Sequence, residues 1–434
     1  CSSDLNEIGT FSLGVILRET GINADTLRAW ERRYKLPQPS RSEGGQRLYS
    51  PRDIEIIKWL LQRQEEGMRI GQAAKLWHSK VAAGESPLAG NALALSITEG
   101  SPEASRLKAF RDNWVRACIS YNEAQAEQVT SEAFTRFPLE LVFIKILLPG
   151  IREIGELWYK GEISVQQEHF ASALLMRRIE AMIAASPAPT RPEKMIIACP
   201  PKEEHTLSSL LLTLFLRRRG FHIVYLGTNV PLEQFKETVE VIKPELVLFA
   251  AQQLTTAATL EQMVQELRSS NTIIAYSGRV FQSTPDIQDH ISAHFLGEDF
   301  ESIFAKIQSL IETQEKIALK PSESTHGLLL TTFEISRAAI QAHLTDALSQ
   351  WNIPIKPLTN ATEYLNENIA ASLYLGDLNF LSPELGWVKR LLMHRKMEEI
   401  SLERYIQTYA NTLEDVIGEA ATPLIDWLLE EASN

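Results

Sequence analysis

The sequence predicts a multidomain chain in which helical blocks surround one α/β block with a parallel sheet. Two observations predict it. Proline, glycine and small polar residues collect in 79–104, 186–193 and 319–327, which read as linkers and cut the 434 residues into four blocks. In the third block, short apolar runs (MIIAC, HIVYLG, LVLFAA, TIIAYSG, HFLG) alternate with amphipathic stretches. That alternation is the mark of parallel strands joined by crossover helices, and five strands suggest the open-sheet order 2-1-3-4-5. The other blocks carry apolar residues mainly at helical spacing.

Composition bounds the function. The chain is 44% hydrophobic, enough for a sizeable core, and no apolar run reaches the roughly 18 residues of a membrane span. Its three cysteines, Cys1, Cys118 and Cys199, are far apart, which suggests neither a disulfide framework nor a thiolate metal cluster. A net charge of −12 excludes a protein that coats nucleic acid over its whole surface. The charge is uneven, however. Residues 1–80 hold 13 Lys and Arg against 10 Asp and Glu, a balance of +3, which leaves −15 for the remainder.

That mildly basic head, about residues 10–78, has an order of its own. Ser12–Thr20 reads as a short helix, Gly21 as the turn, and Asn23 as the N-cap of a second helix from Ala24 to about Tyr34. This is helix-turn-helix spacing. Arg28 and Arg32 fall four apart on one face of the second helix, with Arg33 beside them, so the helix can enter a major groove. Gly44–Gly45 then stands between polar segments as a two-residue hairpin turn, which makes a β-wing with Arg41 and Arg47 placed for phosphate. The candidate DNA contacts are Thr26, Arg28, Arg32, Arg33, Tyr34, Arg41, Arg47 and Tyr49. The run TLRAWERRYKLPQPSRSEGGQRLYSPRDI closely resembles the winged-helix head of MerR-type transcription regulators. The resemblance implies double-stranded operator DNA as partner. Metal-sensing members follow this head with a long dimerising helix and metal-binding cysteines. Here a linker follows Trp77 instead, so effector and oligomer contacts are expected downstream. Cys1 is read as a start with residues missing upstream, not as a lipidated terminus, and a reducing cytoplasm is the expected place.

The second block, 104–185, reads as a four-helix bundle. One of its helices stops near Gly161, and Ser164 with Gln167 forms a capping box for the next. Trp158 then sits at one helix end, with Glu168 and His169 in the first turns of the following helix. Taken singly, Trp158 reads as core and the Glu-His pair as a solvated face. Together, a Trp, nine intervening residues and then Glu-His resembles the bundle of light-sensing, adenosylcobalamin-dependent MerR-type repressors, the CarH group. There the bundle caps the upper face of the cofactor, which implies that role for Trp158, Glu168 and His169. Members place a histidine next to the Trp to capture cobalt after illumination. Here that position is Tyr159, which argues against a bis-histidine photoproduct.

The third block, 194–316, reads as a flavodoxin-like domain, and CPPKEEHTLSSLLL follows its first strand. Alone, His205 reads as a polar residue closing a strand–helix turn. Cobalamin-binding domains of this fold carry Asp/Glu-x-His-x-x-Gly at that place, and Glu203, His205 and Ser208 occupy the matching positions. The resemblance implies that His205 is the lower cobalt ligand, oriented by Glu203. It also locates the groove for the cofactor's nucleotide tail, where this chain departs from the pattern. Ser208 replaces the glycine, Ala250-Ala251-Gln252 replaces Ser-x-Leu, and Ser277-Gly278 replaces Gly-Gly.

The last block, 328–434, reads as a helical domain of unrecognised role. Trp387, Tyr405, Tyr409 and Trp427 line a pocket or, more simply, fill a core, and His394 reads as solvated. No cysteine lies there to hold a thioether-linked chromophore. The functional expectation is a homo-oligomeric regulator, dimer or tetramer, controlled by adenosylcobalamin and light. The alternatives are a regulator whose altered groove senses another tetrapyrrole (bilin or haem) or a protein, and a corrinoid-carrying enzyme module. The DNA-binding head and the lack of a substrate barrel argue against an enzyme.

Overall fold

Backbone capping decides where the head's helices begin and end. The computed structural model describes residues 11–41, 45–65, 68–82, 101–297, 299–317, 326–351, 355–394 and 402–433. It divides into two units, residues 1–177 and 178–434. In the first unit, β1 (Phe11–Ser12) leads into α1 (Leu13–Thr20), which Gly21 ends at φ +67°. A left-handed residue there costs glycine little. Asn23 then caps α2 (Ala24–Tyr34), its side chain accepting from Asp25 N at 2.9 Å. Strands β2 (Ser40–Arg41) and β3 (Arg47–Tyr49) form the wing, and the three strands pair in the order β1-β3-β2.

Arg41 pairs with Arg47 across the wing. The expected Gly44–Gly45 turn includes Gly44, which lies outside the described residues. Helices α3 (Pro51–Glu65) and α4 (Ile70–Ala82) close the head around Ile16, Leu27, Trp30, Ile57, Leu60 and Trp77.

The bundle follows in four helices. Ser101 caps α5 (Pro102–Ile119) and Asn122 caps α6 (Glu123–Arg136). The third, α7, runs through Leu139–Val142, a π-helical turn Phe143–Leu147, and Leu148–Tyr159. The fourth, α8, spans Val165–Ala184. The capping box holds: Gln167 N donates to Ser164 Oγ at 3.3 Å and Ser164 N to Gln167 Oε1 at 2.7 Å. Gln167 Nε2 also donates to Ile119 O at 2.8 Å, which ties the start of α8 to the end of α5.

The second unit is built on a parallel sheet. Strands β4 (Lys194–Ala198), β5 (His222–Gly227), β6 (Leu246–Ala250), β7 (Ile273–Ser277) and β8 (His294–Phe295) lie in the order β5-β4-β6-β7-β8, the 2-1-3-4-5 arrangement expected. Side chains alternate across it. Met195, Ile197, Leu246 and Leu248 pack on α9 (Leu207–Arg218) and α12 (Phe300–Thr313). Ile196, Val247 and Phe249 pack on α10 (Phe235–Ile242) and α11 (Leu254–Glu266). Period-two alternation with both faces buried is what crossover helices on both sides require.

The C-terminal helices α13 (Gly327–Ser349), α14 (Ile355–Leu375), α15 (Ser382–His394), α16 (Leu402–Ile417) and α17 (Thr422–Ser433) share one core with α11 and that sheet face. Helix α11 is therefore apolar on more than one side. Tyr405 and Tyr409 are core residues, bonded through their hydroxyls to Thr362 and Asn366. Trp427 is partly buried, its Nε1 donating to Asn379 at 3.1 Å. The side chains of Trp387 and His394 lie outside the described residues. Among the described residues no helix is long and apolar enough to cross a membrane.

One backbone position is set by close approach. Gly278, just past β7, has φ +148°, and a Cβ there would stand 1.7 Å from the Ala251 carbonyl oxygen. Gly278→Ala is expected to destabilise the second unit by about 3 kcal/mol, through strain and forced separation of the β6 and β7 loops. Thermal denaturation checks this; an unchanged melting temperature would contradict it.

Candidate functional site

In the head, α2 presents Thr26, Arg28, Arg32 and Arg33 to solvent, and Arg41 is exposed on the wing. Asp25 lies 3.5 Å from Arg28 across an exposed pair. Tyr34 is half-buried, and its carbonyl is bonded to His78 Nε2 at 2.9 Å. One expected DNA contact faces inward instead, and a second is partly committed to the protein. Tyr49 is fully buried and donates its hydroxyl to Glu31. Burial, then the Glu31 carboxylate, raises its pKa further above the ordinary phenol value. It is a core residue of the head, not an accessible contact, because the register of β3 turns it toward α1 and α3. Arg47 pairs with Glu31 at 2.8 Å and keeps part of its side chain exposed. Glu31 thus ties wing to helix. Sequence reading missed it, since its partners lie on a strand far along the chain.

At the end of the bundle, Trp158 is 47% exposed and Tyr159 is exposed beside it. Neither ring is a core residue of the bundle. The turn from Lys160 to Ser164 separates them from Glu168 and His169. His169 Nδ1 lies 2.7 Å from Glu168 Oε2, and Ser172 Oγ donates to Glu168 Oε1 at 2.6 Å. Glu168 is therefore held, and His169 projects into solvent.

The loop after β4 carries the most organised polar site. Glu203 is fully buried, yet it is a carboxylate. Its Oε1 accepts from His205 N at 2.9 Å and meets His205 Nδ1 at 2.8 Å. Its Oε2 accepts from Gln252 N at 2.6 Å and Thr256 Oγ1 at 2.7 Å. Burial pushes its pKa up, but bonds from the His205 ring, Thr256 and the two backbone N–H groups outweigh that and hold it below the ordinary carboxylate value. With Nδ1 facing a carboxylate, Nε2 is the ring nitrogen for a metal, and the His205 side chain is 61% exposed. Neighbouring groups fix the loop: Thr259 Oγ1 donates to Pro201 O at 2.9 Å, and Lys202 pairs with Glu367 of α14 at 2.8 Å. Cys199 is buried beside this loop, and burial pushes its thiol up to about 11.

Among the described residues there is no group of three or more His, Cys, Asp or Glu side chains that could hold a metal ion. At this loop the chain offers one imidazole, held at Nδ1 by the Glu203 carboxylate, a donor that suits a metal whose other ligands come from elsewhere. The nearby departures are physically connected. Ser208, exposed at the start of α9, accepts from Gln252 Nε2 at 3.1 Å, and Gln252 Oε1 accepts from Arg279 N at 3.1 Å. Ala250 is buried at the strand end, and Ser277 Oγ donates to Gly297 O at 3.2 Å. Thr256, Glu367 and the bridging role of Gln252 were not read from sequence; Thr256 sits three residues after Gln253, a capping spacing that was a usable signal.

A DNA-reading head joined to a helical bundle and an α/β domain with one poised imidazole defines a regulator class, and comparison with known proteins agrees. The family model for MerR HTH family regulatory proteins matches residues 11–80. Two models, each described as a B12 binding domain, match residues 111–183 and 193–302. The HTH-type transcriptional repressor CarA of Myxococcus xanthus is 30% identical over 241 residues, 55% of this chain and 75% of the relative. The HTH-type transcriptional repressor CarH of the same organism is 28% identical over 294 residues, 67% of this chain and 96% of the relative. The trimethylamine corrinoid protein of Methanosarcina barkeri is 25% identical over 203 residues, 45% of this chain and 93% of the relative. The chain belongs to the MerR-type transcription regulators that carry B12-binding domains, and it is a regulator, not an enzyme.

Glu203→Ala removes an acceptor shared by several buried donors. It is expected to cost about 3 kcal/mol of stability and to free the His205 ring. Denaturant unfolding measures the loss; a change under ~0.5 kcal/mol would show that the carboxylate is not what orders this loop.

Proposed function

We propose that the chain is an operator-binding repressor whose DNA affinity is set by adenosylcobalamin and by light. The observation that carries the reading is the 2.8 Å approach of His205 Nδ1 to the buried Glu203 carboxylate. It presents one imidazole, in one orientation, beyond the carboxyl ends of the strands, where sheets of this order take ligands. The repressor names of CarA and CarH support the sign of regulation.

In this reading His205 would hold the cobalt and Glu203 would fix its ring, and Trp158, Glu168 and His169 would be the bundle residues that contact the cofactor. Adenosylcobalamin supplies a photolabile cobalt–carbon bond. The protein's part is to exclude water around that bond in the dark and to change assembly when the covering residues lose their partner. In the head, α2 enters the major groove, Arg28 and Arg32 reach base edges and phosphates, and Arg33, Arg41 and the exposed part of Arg47 hold the backbone. Joined heads in a dimer or tetramer gain effective concentration on adjacent half-sites, so a change of assembly becomes a change of DNA affinity.

The test titrates the apoprotein with adenosylcobalamin in the dark, then records oligomer size and operator binding before and after green light. The expected result is a protein-bound cobalamin spectrum, with illumination changing assembly and weakening DNA binding at least tenfold. His205→Ala should weaken cofactor binding or change its coordination spectrum. An identical titration and spectrum in that variant would remove His205 from the account.

A further inference from the structure

The amino ends of β7 and β8, at the opposite edge of the sheet from His205, frame a second polar site. A cavity of about 80 Å³ lies there. Its walls are the loop that leads into β7, the first residues of β8, and Lys316 and Ile317, which follow α12. One water needs roughly 10–15 Å³, so there is room for a compact ion but not for a whole nucleotide.

The walls carry charge of one sign. Arg268, His294 and Lys316 line the cavity, and no Asp or Glu does, in a chain whose net charge is −12. Arg268 is exposed and has no ion pair or hydrogen bond among the described residues. Lys316 Nζ donates to Asn271 Oδ1 on the loop before β7. His294 is buried, and its Nε2 meets Glu315 O at 3.0 Å, so it adds charge only when its other ring nitrogen is protonated. Glu261 is the carboxylate bonded to this wall, through Ser292 N at 2.9 Å. Burial raises its pKa, which blunts its opposition to an anion. The same walls hold a hydroxyl with nothing to bond. Ser270 Oγ is buried and has no hydrogen-bond partner among the described residues. Such a group costs stability unless something in the cavity satisfies it.

We propose that this cavity binds a small tetrahedral oxyanion, with Arg268 and Lys316 supplying charge and Ser270 a hydrogen bond. The site shares no residue with the corrinoid reading and stands or falls apart from it. Its cations are exposed and screened, so the affinity expected is only millimolar.

The test dialyses the full chain to equilibrium against radiolabelled orthophosphate at fixed ionic strength in chloride. One bound equivalent is expected, displaced by sulfate and weakened about tenfold by Arg268→Ala and by Lys316→Ala. Lys306→Ala removes an exposed charge from α12 and should leave that equivalent unchanged. Ser270→Ala should weaken phosphate binding by a smaller factor without lowering the melting temperature of the phosphate-free protein, since its hydroxyl has no partner to lose. Displacement by sulfate but not by adenosine monophosphate assigns the site to the free ion. Displacement by both assigns it to the phosphate group of a larger molecule reaching in from solvent. No bound phosphate well above millimolar concentration overturns the site. So does binding that ignores Arg268→Ala and Lys316→Ala, or that falls equally in Lys306→Ala.

Discussion

A buried carboxylate is tolerable only when its lone pairs are filled, and Glu203 organises the second unit around that requirement. Its donors come from the loop after β4, from the backbone after β6 and from the first turn of α11. One side chain therefore sets the path of the ligand loop, the start of a crossover helix and the orientation of an imidazole. The order of this loop and the orientation of the imidazole rest on the same four contacts. A ligand that engages His205 acts on a group already linked to α11, which shares its core with the C-terminal helices.

The head uses a second carboxylate in a similar way. Glu31 on the recognition helix takes the Tyr49 hydroxyl and the Arg47 guanidinium from the wing. Helix and wing are thereby held in one geometry before any DNA is met, which lowers the ordering cost of binding. The pair also divides labour among the arginines. Arg28, Arg32, Arg33 and Arg41 are exposed for contact, whereas Arg47 is partly committed to the protein.

Local signals made much of this legible. Asn23 and the Ser164–Gln167 box sit where their side chains are needed, because capping is decided within a few residues. The strand order followed from alternation, since both faces of a crossover sheet must be covered. The Glu203–His205 pair was readable only through the resemblance to cobalamin-binding domains, since alone His205 reads as a polar turn residue. What escaped the sequence depends on distant register. Tyr49 is turned inward by the register of β3, which pairs with both β1 and β2. The π-helical turn in α7 carries no periodic signature of its own. Glu367 and the reach of Gln252 are relations between segments far apart in sequence, and Thr256 left only its capping spacing after Gln253 as a signal.

The central claim is that cobalt is held by the imidazole that Glu203 orients. Electron paramagnetic resonance of the protein loaded with the cobalt(II) corrinoid tests it most directly, using chain prepared with ordinary and with nitrogen-15 histidine. The account predicts hyperfine coupling to one axial nitrogen whose splitting changes with the label and disappears in His205→Ala. Coupling that ignores the label would place the cofactor's own base on the metal and contradict the account.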